Sequence, residues 1–141
     1  MSVRIVSLVV CIAAAVCYAQ EQKPEVKQAP APVTSAQSGK QMFEAYCASC
    51  HGASGRGDGP AASALNPPPS DLTALSKNNG GKFPSDRVLS ILRGQGTVTA
   101  HGNREMPVWG KVFWSMSQGH ETEVNQRITN LTHYIESLQS K

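Results

Sequence analysis

The stretch Cys47-Ala48-Ser49-Cys50-His51 places two cysteines three residues apart, with a histidine directly after the second. Three residues are nearly one helical turn, so both sulfurs can lie on the same side of a flat ligand. The histidine then falls beneath the centre of that ligand. The pattern C-x-x-C-H is typical of haem c attachment, in which the cysteines form two thioethers and the imidazole coordinates the iron. It predicts one covalently bound haem c.

Two other uses of a C-x-x-C pair fit this chain less well. A structural zinc ion needs four ligands, usually with a second Cys or His pair, and the remaining histidines, His101, His120 and His133, are scattered. A dithiol oxidoreductase relies on a helix that continues past the cysteines and lowers a thiol pKa. Here a glycine-rich loop follows His51 instead. A structural zinc module remains the weaker alternative.

The first residues have the composition of a secretory leader. Residues 1–19 contain one early cation, Arg4, then an apolar run over 5–16, and an imperfect small-x-small cleavage site that ends at Ala19. The apolar run is shorter than the roughly 20 residues that span a bilayer. We therefore predict a signal peptide over 1–19, with a retained membrane anchor or a lipid on Cys17 as the alternatives.

Cleavage after Ala19 would remove Cys11 and Cys17 and leave only the C-x-x-C pair, so no disulfide framework is expected. Export would place the mature protein in the periplasm or another extracytoplasmic space, where haem c is attached. Residues 20–38 are rich in Pro, Ala, Gln, Lys and Glu and predict a disordered linker. This linker would tether the following domain if the leader were retained or lipidated.

Residues 39–141 predict one all-α domain with long loops. Apolar residues at helical spacing predict a short helix that enters the C-x-x-C-H turn. They also predict a second helix that has Ser85 as its N-cap and Asp86 in its first turn, and that ends at Arg93 before Gly94. A last helix begins near Thr122, with an apolar stripe formed by Val124, Ile128, Leu131, Ile135 and Leu138. No strand alternation occurs. A haem would give the long loops a core on which to pack.

The formal net charge of +3 is only mildly basic, and no run of Lys or Arg occurs. Nucleic-acid binding therefore has no support from the sequence. At 141 residues the chain is long enough for one domain with a leader or tail. The partners to expect are proteins, not nucleic acids.

Over about residues 39–140 the sequence resembles the class I c-type cytochromes, in particular small bacterial monohaem members. Gly39 and Phe43 precede the first cysteine by eight and four residues, as in the family's first helix. Leu131 and Tyr134 match the Leu-x-x-Tyr pair of its last helix. The resemblance implies the cytochrome c fold, in which the N- and C-terminal helices cross while loops and short helices wrap around one covalent haem.

Met106-Pro107 looks like the distal ligand motif of this family. The resemblance implies that Cys47 and Cys50 are the thioether anchors and that His51 and Met106 are the axial ligands of the iron. It also implies a hydrogen bond from the His51 ring to a loop proline carbonyl, for which Pro60 is the candidate. Other sulfur or nitrogen side chains that the residues alone leave open as distal ligands are Met42, Met116 and His101.

Further residues are candidates for the surroundings of the haem. The candidate pocket walls are Phe83, Leu89, Leu92 and Trp109, with ordinary core packing as the alternative. The candidate partners of the haem propionates are Lys82, Arg93 and Arg104, with a solvated surface charge as the alternative.

Ligation by histidine and methionine fills both axial positions and raises the reduction potential. We therefore expect an electron-transfer protein that is not an enzyme. It would shuttle single electrons between larger redox proteins, such as an oxidase, a reductase or a dehydrogenase, without a small-molecule substrate. The alternative function is a haem protein that catalyses a reaction, or senses a gas or peroxide, through a displaceable distal ligand.

Overall fold

The computed structural model describes residues 31–95 and 108–140, and these ranges contain helices and loops but no β-strand. The α-helices are α1 (Gly39–Tyr46), α2 (Ala48–His51), α3 (Ser85–Arg93), α4 (Trp109–Met116) and α5 (Glu121–Ser137). Short 3₁₀ helices at Ala62–Ala64, Leu72–Ala74 and Lys77–Asn79 lie between α2 and α3. The predicted all-α class is confirmed. The predicted signal peptide over 1–19 and the linker residues 20–30 lie outside the described residues and stay predictions.

The first and last of these helices cross at Gly39. Its backbone lies so close to α5 that a Cβ atom there would overlap the carbonyl oxygen of Asn130 and crowd the Cβ of Tyr134. One turn further along α1, the fully buried Phe43 packs against Tyr134, with ring centroids 5.3 Å apart. The helix crossing that the resemblance implies is therefore present, and Gly39 permits its close approach.

The apolar stripe of α5 forms one side of the core. Its first four members, Val124, Ile128, Leu131 and Ile135, are buried, and Leu138 is partly buried against them. The helix begins at Glu121, one residue before the predicted start, after His120 as the N-cap. The spacing of the stripe thus identified both the helix and the face that it buries.

Helix α4 is absent from the sequence prediction, which assigned no secondary structure to residues 111–116. Trp109 and Phe113 are buried on its inner face, and their rings lie 5.8 Å apart. Val112 and Met116 pack partly buried against the same core. These four residues have the spacing i, i+3, i+4 and i+7 of an amphipathic helix, so the signal was present in the sequence.

Helix α3 ends at Arg93 as predicted, but it begins one residue earlier than the prediction. Ser85 is the first helical residue, and Pro84 is the N-cap without a side-chain hydrogen bond. At the other end Gly94 adopts φ 75°, and its N–H is bonded to the carbonyls of Ile91 and Ser90. Gly94 therefore closes the helix in a left-handed conformation, as predicted, whereas Ser85 is not the N-cap.

Residues 31–38, which we call the N-terminal strap, pack on the helical domain, whereas the sequence predicted a disordered linker as far as residue 38. Thr34 is buried, and its hydroxyl lies 2.6 Å from the hydroxyl of Tyr46. Tyr46 donates to the Pro32 carbonyl at 2.7 Å. From α5, Asn130 donates to the Ala36 carbonyl at 2.9 Å. Polar bonds to α1 and α5, together with Ala31 packed partly buried against the core, hold the strap in place.

Arg127 of α5 lies beneath the strap, and its side chain is only 4% exposed. Its guanidinium donates to the Thr34 carbonyl at 2.9 Å and to the Glu123 carboxylate at 2.7 Å. A further bond of 3.3 Å goes to the hydroxyl of Ser117. Because a buried charge is costly unless it is paired and hydrogen-bonded, the strap and Glu123 together make the burial of Arg127 tolerable.

We expect Glu123→Gln to reduce stability at neutral pH and to make unfolding less sensitive to acid. The hydrogen bond from Arg127 holds the pKa of the Glu123 carboxyl below its ordinary value of 4.5. Because the folded-state pKa is the lower one, the pair contributes stability above pH 4.5 and loses it as the pH falls through that pKa. Thermal unfolding at neutral and at acidic pH measures this difference.

Glu121→Gln is the matched control, because Glu121 is an exposed acid in the same first turn of α5 and shares the favourable position at the helix N-terminus. At neutral pH the melting temperature of the Glu123→Gln protein should fall by more than that of this control. At acidic pH the two decreases should be equal. Equal losses at both pH values would show that only the position in the helix matters.

Candidate haem site

The C-x-x-C-H stretch forms a tight turn between α1 and α2. Cys47 ends α1, where its N–H donates to the Phe43 carbonyl at 2.8 Å. The Cys47 carbonyl then accepts from the N–H groups of Cys50 and His51 at 3.1 and 2.8 Å. This single helical turn brings Cys47, Cys50 and His51 to the wall of one cavity.

The glycine-rich loop after His51 folds back against α2 and caps its C-terminus. The N–H of Gly57 donates to the His51 carbonyl at 2.7 Å, and that of Gly59 donates to the Cys50 carbonyl at 3.1 Å. A Cβ atom at Gly59 would overlap the carbonyl oxygen of Ser49. The loop thus satisfies carbonyls that a short helix leaves without partners, and glycine is required for its close approach.

His51 is buried, and its Nδ1 atom lies 3.0 Å from the carbonyl oxygen of Ser70. Burial lowers the pKa of His51, while the bond to Ser70 opposes that shift. The predicted partner was the Pro60 carbonyl, so the structure corrects that interpretation. The carbonyl comes from the segment after the three prolines, and any residue type could supply it because it belongs to the backbone.

The two cysteines of the motif are not joined by a disulfide, and their environments differ. Cys47 is buried, whereas Cys50 is partly exposed. Burial, with a smaller contribution from Cys50, raises the pKa of the Cys47 thiol to about 12. A dithiol oxidoreductase needs a lowered thiol pKa, because the thiolate is the nucleophile. The environment of Cys47 is therefore the opposite of what that function requires.

The cavity beside these residues has a volume of about 480 Å³, within the range of roughly 300–1,000 Å³ that small-molecule and cofactor sites occupy. Its walls are mainly apolar, and they include Leu65, Leu72, Leu75, Val88, Ile91, Leu92, Trp109 and Ile135. A large flat macrocycle with an apolar body fits such a cavity, and both thiols and the imidazole of the motif line it. The residues present therefore fit a covalent haem c.

A model of the cytochrome c family matches residues 36–139. The chain belongs to the cytochrome c family. Proteins of this family bind haem c covalently through C-x-x-C-H, so the chain carries one haem c, and they generally transfer electrons to and from redox partners instead of acting as enzymes. Comparisons with curated proteins and with solved structures gave no significant match.

Two of the four distal ligand candidates of this cytochrome can be located. Met42 is fully buried in the core, and Met116 packs against the core with its sulfur 3.5 Å from the Tyr46 hydroxyl. Neither methionine is among the residues that line the cavity. Met106 and His101 lie outside the described residues. For Met42 and Met116 the packing favours the interpretation as core residues.

Among the predicted wall residues, Leu92 and Trp109 line the cavity. Phe83 is buried and Leu89 partly buried in the core, but neither is among the lining residues. The sequence prediction did not include the other apolar walls, which come from the loop over 65–75, from Val88 and Ile91 of α3 and from Ile135 of α5. The available signal in that loop was a run of three prolines with leucines on either side, at 65, 72 and 75.

The candidate partners of the propionates also change. Lys82 and Arg93 are exposed and are not among the lining residues, and Arg104 lies outside the described residues. Arg87 of α3 lines the cavity instead, near Asn78 and Asn79. An exposed arginine at a cavity rim can pair with a carboxylate, but nothing in the spacing of α3 distinguishes Arg87 from the other surface cations.

Within residues 31–95 and 108–140 no helix combines the length and the apolar character that crossing a membrane requires. In the same ranges no group of three or more His, Cys, Asp or Glu side chains comes together as a metal site would require.

Proposed function

We propose that this cytochrome is a one-electron carrier in which Cys47 and Cys50 anchor the haem and His51 and Met106 are the axial ligands. The observation that carries the proposal is that both thiols and the buried imidazole line one apolar cavity. When bound, the haem supplies an iron that takes up and releases one electron by cycling between Fe(II) and Fe(III). The chain holds that group in place and sets its environment.

His51 has the role of the proximal ligand. Its Nδ1–H donates to the Ser70 carbonyl at 3.0 Å, so Nε2 is the nitrogen that we assign to the iron. A ligating histidine usually donates its other N–H in this way, which fixes the ring orientation and raises the basicity of the ligand. The bond to Ser70 supports this assignment, because Ser70 and His51 both line the cavity.

Met106 has the role of the distal ligand, on the basis of the Met106-Pro107 motif. Trp109 lines the cavity, and Met106 precedes it by only three residues. Three residues of chain span at most about 11 Å, so Met106 is within reach of the cavity. A neutral thioether favours Fe(II), which raises the reduction potential, and it leaves no axial position open to small molecules.

The test compares Met106→Leu with Met116→Leu. Both changes remove a thioether and nearly conserve the side-chain volume, and Met116→Leu, a change at a residue packed against the core, should cost less than about 1.5 kcal/mol of stability. We expect the Met106→Leu protein to become high-spin, to bind carbon monoxide when reduced and to have a lower reduction potential. The Met116→Leu protein should keep the low-spin spectrum of the unmodified protein. Absorption spectroscopy and a potentiometric titration measure these properties.

Other results would contradict the proposal in different ways. A high-spin Met116→Leu protein would assign the distal sulfur to Met116. Low-spin spectra of both variants would indicate a ligand that is not methionine, such as His101. Rapid carbon monoxide binding by the unmodified reduced protein would favour the catalytic or sensing function over electron transfer.

We further propose that the protein is exported and works in the periplasm or another extracytoplasmic space, as is typical of c-type cytochromes. The signal-like residues 1–19 support this location. Its partners would be redox proteins such as an oxidase, a reductase or a dehydrogenase. A retained leader or a lipid on Cys17 would hold the domain at the membrane, and the formal charge of +3 gives little electrostatic preference for one partner.

A further inference from the structure

Residues 70–76, which we call the proximal loop, connect the backbone bond of His51 with two walls of the cavity. The loop begins with the Ser70 carbonyl that accepts from His51. Leu72 and Leu75 of the same loop line the cavity. The position of this loop therefore decides both where the Ser70 carbonyl lies and how the cavity is shaped.

The beginning of the proximal loop has its own local bonds. The Asp71 carboxylate accepts from the N–H of Thr73 at 2.8 Å and from its hydroxyl at 2.6 Å. The N–H of Leu72 donates to the Gly55 carbonyl at 2.7 Å, which ties the loop to the glycine-rich loop after His51. These bonds shape the start of the loop but do not connect it to the helical core.

The connection to the core comes from the residues directly after α5. The amide nitrogen Nε2 of Gln139 donates to the Leu72 carbonyl at 2.7 Å and to the Ile135 carbonyl at 2.9 Å. Its oxygen Oε1 accepts from the N–H of Ser76 at 2.8 Å. The N–H of the next residue, Ser140, donates to the Thr73 carbonyl at 2.9 Å.

We propose that Gln139 is a positioning residue for His51, acting through the proximal loop. One side chain bonds the loop at Leu72 and at Ser76 and fixes both points to the end of α5. A primary amide has both a donor and an acceptor, so the Gln139 side chain can bond a carbonyl and an N–H at the same time. By holding the loop, Gln139 keeps the Ser70 carbonyl opposite the imidazole.

This inference rests on the proposed role of His51 as an iron ligand. A strong bond from the His51 ring to the Ser70 carbonyl makes the imidazole a more basic ligand, which stabilises Fe(III) relative to Fe(II). Loosening the proximal loop weakens that bond. The reduction potential should then rise, and the ring N–H of His51 should exchange with solvent faster.

The experiment uses the haem-loaded Gln139→Met protein, because methionine has nearly the volume of glutamine and neither of its strong hydrogen-bonding groups. Gln126→Met is the matched control, since Gln126 is an exposed glutamine of α5. Potentiometry gives the reduction potential, and NMR gives the exchange rates of the His51 ring N–H and of the Ser76 amide. We expect a higher potential for Gln139→Met and about tenfold faster exchange of the Ser76 amide, as the loss of one hydrogen bond implies.

Two results would overturn the proposal. If a folded Gln139→Met protein keeps the potential and the His51 N–H exchange of the unmodified protein, Gln139 only fastens the end of α5. If Gln126→Met shifts both quantities as much, the effect is not specific to the loop. The proposed function has a separate test in the unmodified protein, and it fails if the oxidised iron has no histidine ligand. In that case the role of Gln139 as a positioning residue for His51 fails as well.

Discussion

A protein carrying both Cys47→Ser and Cys50→Ser is expected to contain no covalently bound haem. A serine hydroxyl does not replace the thiolate as a nucleophile toward a vinyl group, so neither thioether can form. Both anchors lie on the same wall of the cavity, and each single variant should keep one thioether. A haem stain after denaturing electrophoresis shows covalent attachment, and the pyridine haemochrome spectrum distinguishes two thioethers from one.

Ser49→Ala is the matched control, because Ser49 lies between the two cysteines and its side chain is exposed. This variant keeps both cysteines and removes only a hydroxyl that lies 3.8 Å from the Cys50 sulfur. It should keep the full amount of haem with an unchanged spectrum. Haem that remains bound to the doubly substituted protein after denaturation would show that the attachment is elsewhere. It would also contradict the assignment of this cavity as the haem site.

Gly39→Ala is expected to destabilise the fold strongly, because the added methyl group would occupy the position of the Asn130 carbonyl oxygen. The neighbouring atoms are backbone and the Cβ of Tyr134, so no flexible side chain can move aside. Overpacking of this kind typically costs about 1–3 kcal/mol, and we expect the upper end because α1 and α5 would have to separate. Each kcal/mol lowers the melting temperature of a domain of this size by roughly 4–8 °C.

Gly80→Ala separates this packing effect from the general effect of replacing a glycine. Gly80 has φ +66°, and a Cβ atom there would have no heavy atom within 4 Å. Its substitution should therefore cost only the left-handed backbone conformation, about 1 kcal/mol. Denaturant unfolding of both haem-loaded proteins gives the two losses. A loss for Gly39→Ala no larger than that for Gly80→Ala would mean that the helices can separate without cost.

The features that could be predicted from the sequence are those with a local pattern. The C-x-x-C-H turn, the end of α3 and the stripe of α5 each depend on residues that are close together in the chain. The crossing at Gly39 was accessible because the spacing of Gly39 and Phe43 before the motif matched a known family. Helix α4 had a regular pattern as well, but it has only 8 residues, and the prediction did not include it.

The features that were missed depend on contacts between distant parts of the chain. The Ser70 carbonyl reaches His51 across 19 residues, and a backbone carbonyl leaves no trace in residue type. Arg127 is separated from Thr34 by 93 residues. In the sequence Arg127 resembles an exposed cation on a helix, and Thr34 lies in a stretch whose composition indicates disorder. Their pairing becomes visible only when α5 and the strap are placed together.

The strap also changes the reach of the domain. The leader or a lipid could hold the chain at a membrane. Because residues 31–38 lie on the protein, the spacer between that anchor and the folded surface would then be at most residues 20–30. Eight fewer extended residues shorten the greatest distance that the spacer can bridge by about 28 Å. The folded surface would then stay within roughly 40 Å of its anchor, a reach that would favour redox partners at the same membrane surface.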